Sequence, residues 1–230
     1  AFFALLIYIL QAFLIGAMIN IGVCLFTLLP IAIYWYGKAG KIKLVYKIIL
    51  FGSILGGMIL LLYFVGDRLV DEASFYVVIK TGFRTIIEYV SHGYRGLSYC
   101  LQLPFKCTWG QTTFYGFVRT LFPAFGLEST WSNSYLMRCQ EAFNWDALQV
   151  WSTIFPWLAS DVSFIFVPFI MFVVGRFMRS VWKNFVIYKN PYALLMMGQL
   201  MIFCFMIPAN NQLFHTFGNA MGVLIIGMIY

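Results

Sequence analysis

"VSFIFVPFIMFVVGRFMRSVWK", residues 162–183, opens with fourteen uncharged residues and then sets Arg176, Arg179 and Lys183 within eight positions. An apolar run of this kind, like that at 48–65, is too long and too free of charge for the core helix of a soluble domain. A membrane span needs about 20 mainly apolar residues. Inside lipid such a run must be helical, because every backbone N–H and C=O has to be satisfied within the segment. The whole chain supports the same reading. Its 230 residues are 62% hydrophobic and 10% charged, with a mean hydropathy of +0.86; soluble domains carry about 25% charged residues. The alternation of a β-barrel is absent. The expected fold is all-α: a polytopic transmembrane helical protein.

The charges predict its topology. Lys38, Lys41, Lys43 and Lys47 form one cluster, and Arg176, Arg179, Lys183 and Lys189 another, with no acid in either. The positive-inside rule puts both in the cytoplasm. The other seven basic residues and all eight acidic ones lie between the clusters, so the net charge of +7 resides in the clusters. It is no sign of a nucleic-acid partner. Spans are expected at about 18–36, 48–66, 157–175, 192–207 and 214–230. Residues 1–17 would form one more, joined by a turn near Gly16 and Asn20, since a single 36-residue helix would be about 54 Å long. The chain opens at Ala1 inside an apolar run without a methionine, basic leader or cleavage site. It therefore reads as a fragment or mature piece rather than as starting with a signal peptide. What remains is an outer loop at about 67–156, rich in aromatics and expected to be mainly helical. Loops of this length are functional or disordered, and the aromatic content argues against disorder.

Inside that loop, "EASFYVVIKTGFRTIIEYVS" (72–91) has helical apolar spacing, with Lys80, Arg84 and Glu88 four apart in one stripe. Arg95 would share that face if the helix ran on, but the glycines of "HGYRG" predict a break. Two readings of the stripe stand together. A glycine-flanked arginine at a membrane surface can grip phosphate through its forked guanidinium. Alternatively, Arg84 and Glu88 form a surface ion pair worth about 0.3–0.5 kcal/mol, with Arg95 on lipid headgroups. Asp161, at the outer end of a span, is either a carboxylate that is paired or lines a cavity or a helix N-cap. Cys24 and Cys204 read as packing residues. Cys100, Cys107 and Cys139 allow one disulfide in an oxidising compartment, the 100/107 spacing being feasible. His92 and His215 are far apart in sequence, no zinc-like spacing occurs, and no phosphate loop, nucleophile elbow or dinucleotide fingerprint is present. No cofactor and no metal is expected.

Three stretches share their layout with a known group. They are "YVSHGYRGLSYCLQLPFKCTWGQTTFYGFVRTLFP" (89–123), "ALQVWSTIFPWLASDVSFIFVPFIMFVVGRFMR" (147–179) and "PANNQLFHTFGN" between the last two spans. The chain resembles the C-terminal half of the oligosaccharide repeat-unit polymerases, the Wzy-type O-antigen and capsular polysaccharide polymerases of bacterial inner membranes. It departs from them after Asp161, where many members have an aromatic residue and a glycine and this chain has Val162 and Ser163.

The resemblance implies a metal-free glycosyltransferase at the periplasmic face of the inner membrane, using undecaprenyl-diphosphate-linked oligosaccharide as donor and acceptor. Membrane lipid and a chain-length regulator are its implied partners. Arg84 and Arg95, then Arg119, would stabilise the diphosphate leaving group. Glu88 or Asp161 would act as base. His92, Tyr94 and Trp109, with Trp131 and Tyr115, would hold sugars. An O-antigen ligase or a flippase of lipid-linked glycans is the alternative. Concentration of charge in the outer loop, rather than at the bilayer midplane, favours interfacial chemistry over transport.

Overall fold

A computed structural model describes residues 74–146, 149, 150 and 152–230, together with scattered positions between 52 and 69. The spans expected at 1–17 and 18–36, most of 48–66 and the first lysine cluster lie outside the described residues. The described residues form helices and no strands, so the fold is all-α. The chain divides into two compact units, Ala1–Glu88 and Tyr89–Tyr230.

Helix α1 (Phe75–Cys100) runs through the sequence boundary of the units. In the first unit it makes two backbone-close contacts. A Cβ at Gly66 would collide with the Val78 carbonyl oxygen, and one at Gly82 with that of Leu62. The break expected at "HGYRG" does not occur: α1 continues through Gly93 and Gly96 for another turn. These glycines are there for packing. A Cβ at Gly93 would strike the Pro208 carbonyl, and one at Gly96 would stand 2.8 Å from Trp145 Nε1 and 2.9 Å from Ser152 Cβ. Tertiary contact outweighs the weak helix propensity of glycine, which costs about 1 kcal/mol per residue.

The second unit continues through α2 (Tyr115–Ala124), a 3-10 turn at Trp131–Asn133 and α3 (Tyr135–Phe143). Ser134 caps α3 by accepting from Met137 N at 3.2 Å, and Asn144 ends it in the left-handed conformation, φ 52°. Next come α4 (Ile154–Val162), a 3-10 turn at Phe164–Phe166 and α5 (Val167–Val186). The expected span at 157–175 is thus broken at Ser163, whose φ is +71°. The apolar stretch that remains, Phe164–Val186, is the one helical segment among the described residues long and apolar enough to cross a membrane. Arg176, Arg179 and Lys183 therefore stand on α5, not in a loop after it; only Lys189 follows the helix. Asn190 Oδ1 then caps α6 (Pro191–Met206) through Tyr192 N at 2.9 Å, and α6 packs back on α5. A short helix α7 (Gln212–His215) and α8 (Phe217–Ile229) finish the chain, with Thr216 capping α8. Where a span was expected at 214–230, the apolar helix starts at Phe217 and is 13 residues long, leaving His215 outside it. Asn184 Nδ2 donates to Tyr230 Oη at 2.5 Å and ties α5 to the end of α8.

Candidate functional site

The strongest polar focus is Asp161. It lies in the last turn of α4 and is no N-cap. A carboxylate there opposes the helix dipole, and the last carbonyls of the turn need donors. The segment "CTWGQTT" (107–113) meets both needs. Asp161 Oδ1 accepts from Thr108 Oγ1 at 2.5 Å, Gly110 N at 2.8 Å and Thr112 N at 3.3 Å. Oδ2 accepts from Thr113 N at 2.7 Å and Thr113 Oγ1 at 2.5 Å. The same loop satisfies the end of α4: Thr108 N donates to Ser160 O at 3.0 Å and Cys107 Sγ to Asp161 O at 3.2 Å. The loop passes through left-handed backbone at Trp109, φ 54°, and Gly110, φ 83°, which aims successive N–H groups at one carboxylate.

Further bonds hold this loop against its neighbours. Gln111 Oε1 accepts from Thr130 N at 2.7 Å and Ser129 Oγ at 3.1 Å, Thr130 Oγ1 donates to Thr108 O at 3.1 Å, and Asn211 Nδ2 donates to Thr113 O at 2.6 Å. Asp161 thus organises the loop from which α2 emerges. With its oxygens occupied by five donors, it has little acceptor capacity left for a substrate proton.

On the far side of that loop, Tyr115, Trp131, Trp157 and His215 form one aromatic cluster. The Tyr115 ring centroid is 4.3 Å from Trp131, 5.7 Å from Trp157 and 5.7 Å from His215, and Trp157 lies 5.6 Å from both Trp131 and His215. Its assembly depends on Gly116. A Cβ there would stand 2.4 Å from Thr216 C and 2.8 Å from Phe217 N, so only glycine lets α2 press against the α7–α8 junction. That contact sets Tyr115 against His215, with Arg119 one helical turn further along α2. Burial first, and the charge of exposed Arg119 second, lower the pKa of His215 from its usual 6.5. Its neutral form, which can accept a proton, is therefore favoured. Trp157 is fully buried and its indole N–H has no hydrogen-bond partner.

The remaining residues expected at the site are dispersed. Arg84 and Glu88 bond to each other in the first unit, Nε to Oε1 at 2.7 Å, with side chains 79% and 51% exposed. On the part of α1 in the second unit, Tyr94 and Arg95 are exposed, and His92 stands edge-on to Trp145 at 5.9 Å. Trp109 is 80% exposed beside the Asp161 loop. Of the aromatics expected to be exposed for stacking, Tyr115 is buried and Trp131 partly so.

The structure sets His215 against Trp157, both of which the sequence had left without a role, and the charge of Arg119 acts on His215. In sequence Arg119 and His215 are 96 positions apart, and the only local hint was a histidine beside the start of the last apolar helix. Among the described residues no group of three or more His, Cys, Asp or Glu side chains is placed to hold a metal ion. Compared with family models, with curated proteins and with solved structures, the chain matches none of them.

Proposed function

We propose that this protein is a polytopic membrane glycosyltransferase that polymerises undecaprenyl-diphosphate-linked oligosaccharides at the periplasmic face of the bacterial inner membrane. The observation that carries the reading is the packing of a neutral-leaning His215 on the Tyr115–Trp131–Trp157 cluster, in the electrostatic reach of Arg119. Membrane residence is supported by the segment Phe164–Val186, whose apolar side chains Ile165, Phe166, Phe169, Phe172 and Val173 are exposed rather than packed in a core. The shorter apolar helices Pro191–Met206 and Phe217–Ile229 accompany it.

In this reaction the bond between the donor sugar's anomeric carbon and its diphosphate breaks, and a bond from the acceptor hydroxyl oxygen to that carbon forms. His215 takes the hydroxyl proton. Arg119 meets the charge that grows on the departing diphosphate, an interaction stronger in the transition state than in the ground state. Trp131, partly exposed, offers a stacking face to a sugar ring, and buried Trp157 backs the cluster from within. Arg95, exposed on α1, is available to lipid phosphates. Asp161 positions the loop that leads into α2, and Glu88 neutralises Arg84.

Complementation tests the assignment. The full-length protein is expressed in a bacterium lacking the matching polymerase, and its surface glycan is separated on a gel. A restored ladder of many repeats is expected, with loss of the ladder in Arg119→Lys and His215→Asn at unchanged protein level. Core capped by a single repeat, with the wild-type protein present in the membrane, would refute polymerisation and favour a ligase. Accumulation of single lipid-linked units on the cytoplasmic side would favour a flippase.

A further inference from the structure

The three outer-loop cysteines are not equivalent in space. Cys107, the partner that spacing made feasible for Cys100, directs its Sγ to the Asp161 carbonyl oxygen at 3.2 Å. Cys100, the last residue of α1, reaches α3 instead. Its thiol lies 3.9 Å from the Tyr135 carbonyl oxygen, one helical turn before Cys139 on α3. Both cysteines are 0% exposed. Neighbouring side chains hold the crossing in the same register. Tyr99 stacks on Phe143 at 5.0 Å and meets Trp145 edge-on at 5.4 Å.

A second feature bears on the pair. Arg138, 8% exposed, donates from Nε to Asn133 O at 2.9 Å and from Nη1 to Pro104 O at 2.7 Å, while its Nη2 has no partner. No carboxylate among the described residues forms an ion pair with it. This guanidinium lies 4.9 Å from the centre of the Tyr135 ring and acts electrostatically on Cys100. A buried cation without an anion is costly, and next to a dithiol it favours the thiolate through which exchange proceeds.

We infer that Cys100 and Cys139 are a disulfide-forming pair, and that Cys107 stays a free thiol. The reaction partner is a small-molecule disulfide. The Cys139 thiolate attacks one sulfur of the oxidant and expels a first thiolate, leaving a mixed disulfide on Cys139. Cys100 then gives up its proton and attacks the Cys139 sulfur, expelling the second thiolate. Two protein thiols and one external disulfide become one protein disulfide and two external thiols. The balance is the same whichever of the two thiols attacks first. The bond would close the segment 101–138, which carries the Asp161 loop, Arg119 and Trp131.

Trypsin separates the three cysteines, because cleavage after Arg95, Lys106, Arg119, Arg138 and Arg176 leaves Cys100 in 96–106, Cys107 in 107–119 and Cys139 in 139–176. Detergent-purified full-length protein is treated with oxidised glutathione under conditions where N-ethylmaleimide labels all three cysteines in a parallel reduced sample. It is then alkylated, digested and mapped by mass spectrometry. The expected product links 96–106 to 139–176, with Cys107 alkylated. It persists in Cys107→Ser, whereas Cys100→Ser traps glutathione on Cys139. A dominant linked peptide containing Cys107, or alkylation of both Cys100 and Cys139 after the oxidant, would overturn the inference.

Discussion

Asp161 and the Arg84–Glu88 pair are two ways of placing charge in an apolar chain, and they differ in the number of partners. Arg84 and Glu88 meet through one contact at the surface, where water competes and each long side chain loses freedom to make it. Asp161 is partly buried and takes five donors from one six-residue segment. Those donors include three backbone N–H groups, whose positions hold the loop in shape. The ion pair decorates a helix that would form without it, whereas the carboxylate determines a loop with no regular structure of its own.

The largest effect therefore belongs to Asp161. Asp161→Ala strands several partly buried donors and is expected to lower stability by on the order of 3 kcal/mol or more. It should also open 107–113 to protease. Thermal unfolding in detergent together with limited proteolysis measures this, and a wild-type profile in both would show that the loop holds itself. Gly116→Ala comes next. The added methyl group forces α2 off the Thr216–Phe217 backbone, at a cost of about 1–3 kcal/mol, and Arg119 moves from His215. If the variant unfolds with wild-type stability and keeps the glycan ladder, the close contact does not assemble the site.

His215 occupies the middle of the range. With its folded pKa below the usual 6.5, the unfolded chain binds more protons over the window between the two values. Stability must then fall as pH drops below about 6.5 and level off below the folded value. His215→Asn should remove that slope. Melting curves from pH 7.5 to 5 that are parallel for wild type and variant would contradict burial of the ring. Arg84→Ala closes the order with a loss of about 0.5 kcal/mol or less; a loss several times larger would give the pair a role beyond the surface.

The same contrast explains what was readable beforehand. Helicity over 75–91 was legible because apolar spacing is a local property, and the Arg84–Glu88 contact followed from its four-residue offset. The continuation of α1 through Gly93 and Gly96 was not legible. Local propensity argues for a break, and the opposing term comes from Pro208, Trp145 and Ser152, more than 45 positions away. Asp161 stood out as a carboxylate at the edge of an apolar run. Its donors at 108–113 lie about 50 positions upstream, so the N-cap reading missed its role. Arg119 was noticed, but its neighbour His215 was reached only through Gly116, whose function is to lack a side chain.

By itself, the order of residues determined that the chain is helical and strongly apolar, with basic residues gathered at the ends of apolar runs. Hydrophobicity, charge and helical period are summed along the chain and need no partner. Only the tertiary structure decided that the apolar stretch breaks at Ser163, that Asp161 gathers the 107–113 loop and that Cys100 faces Cys139. It also decided that His215 stands in an aromatic cluster within the electrostatic reach of Arg119. Each of these depends on groups brought together from distant positions, where hydrogen-bond satisfaction and close packing outweigh local preference.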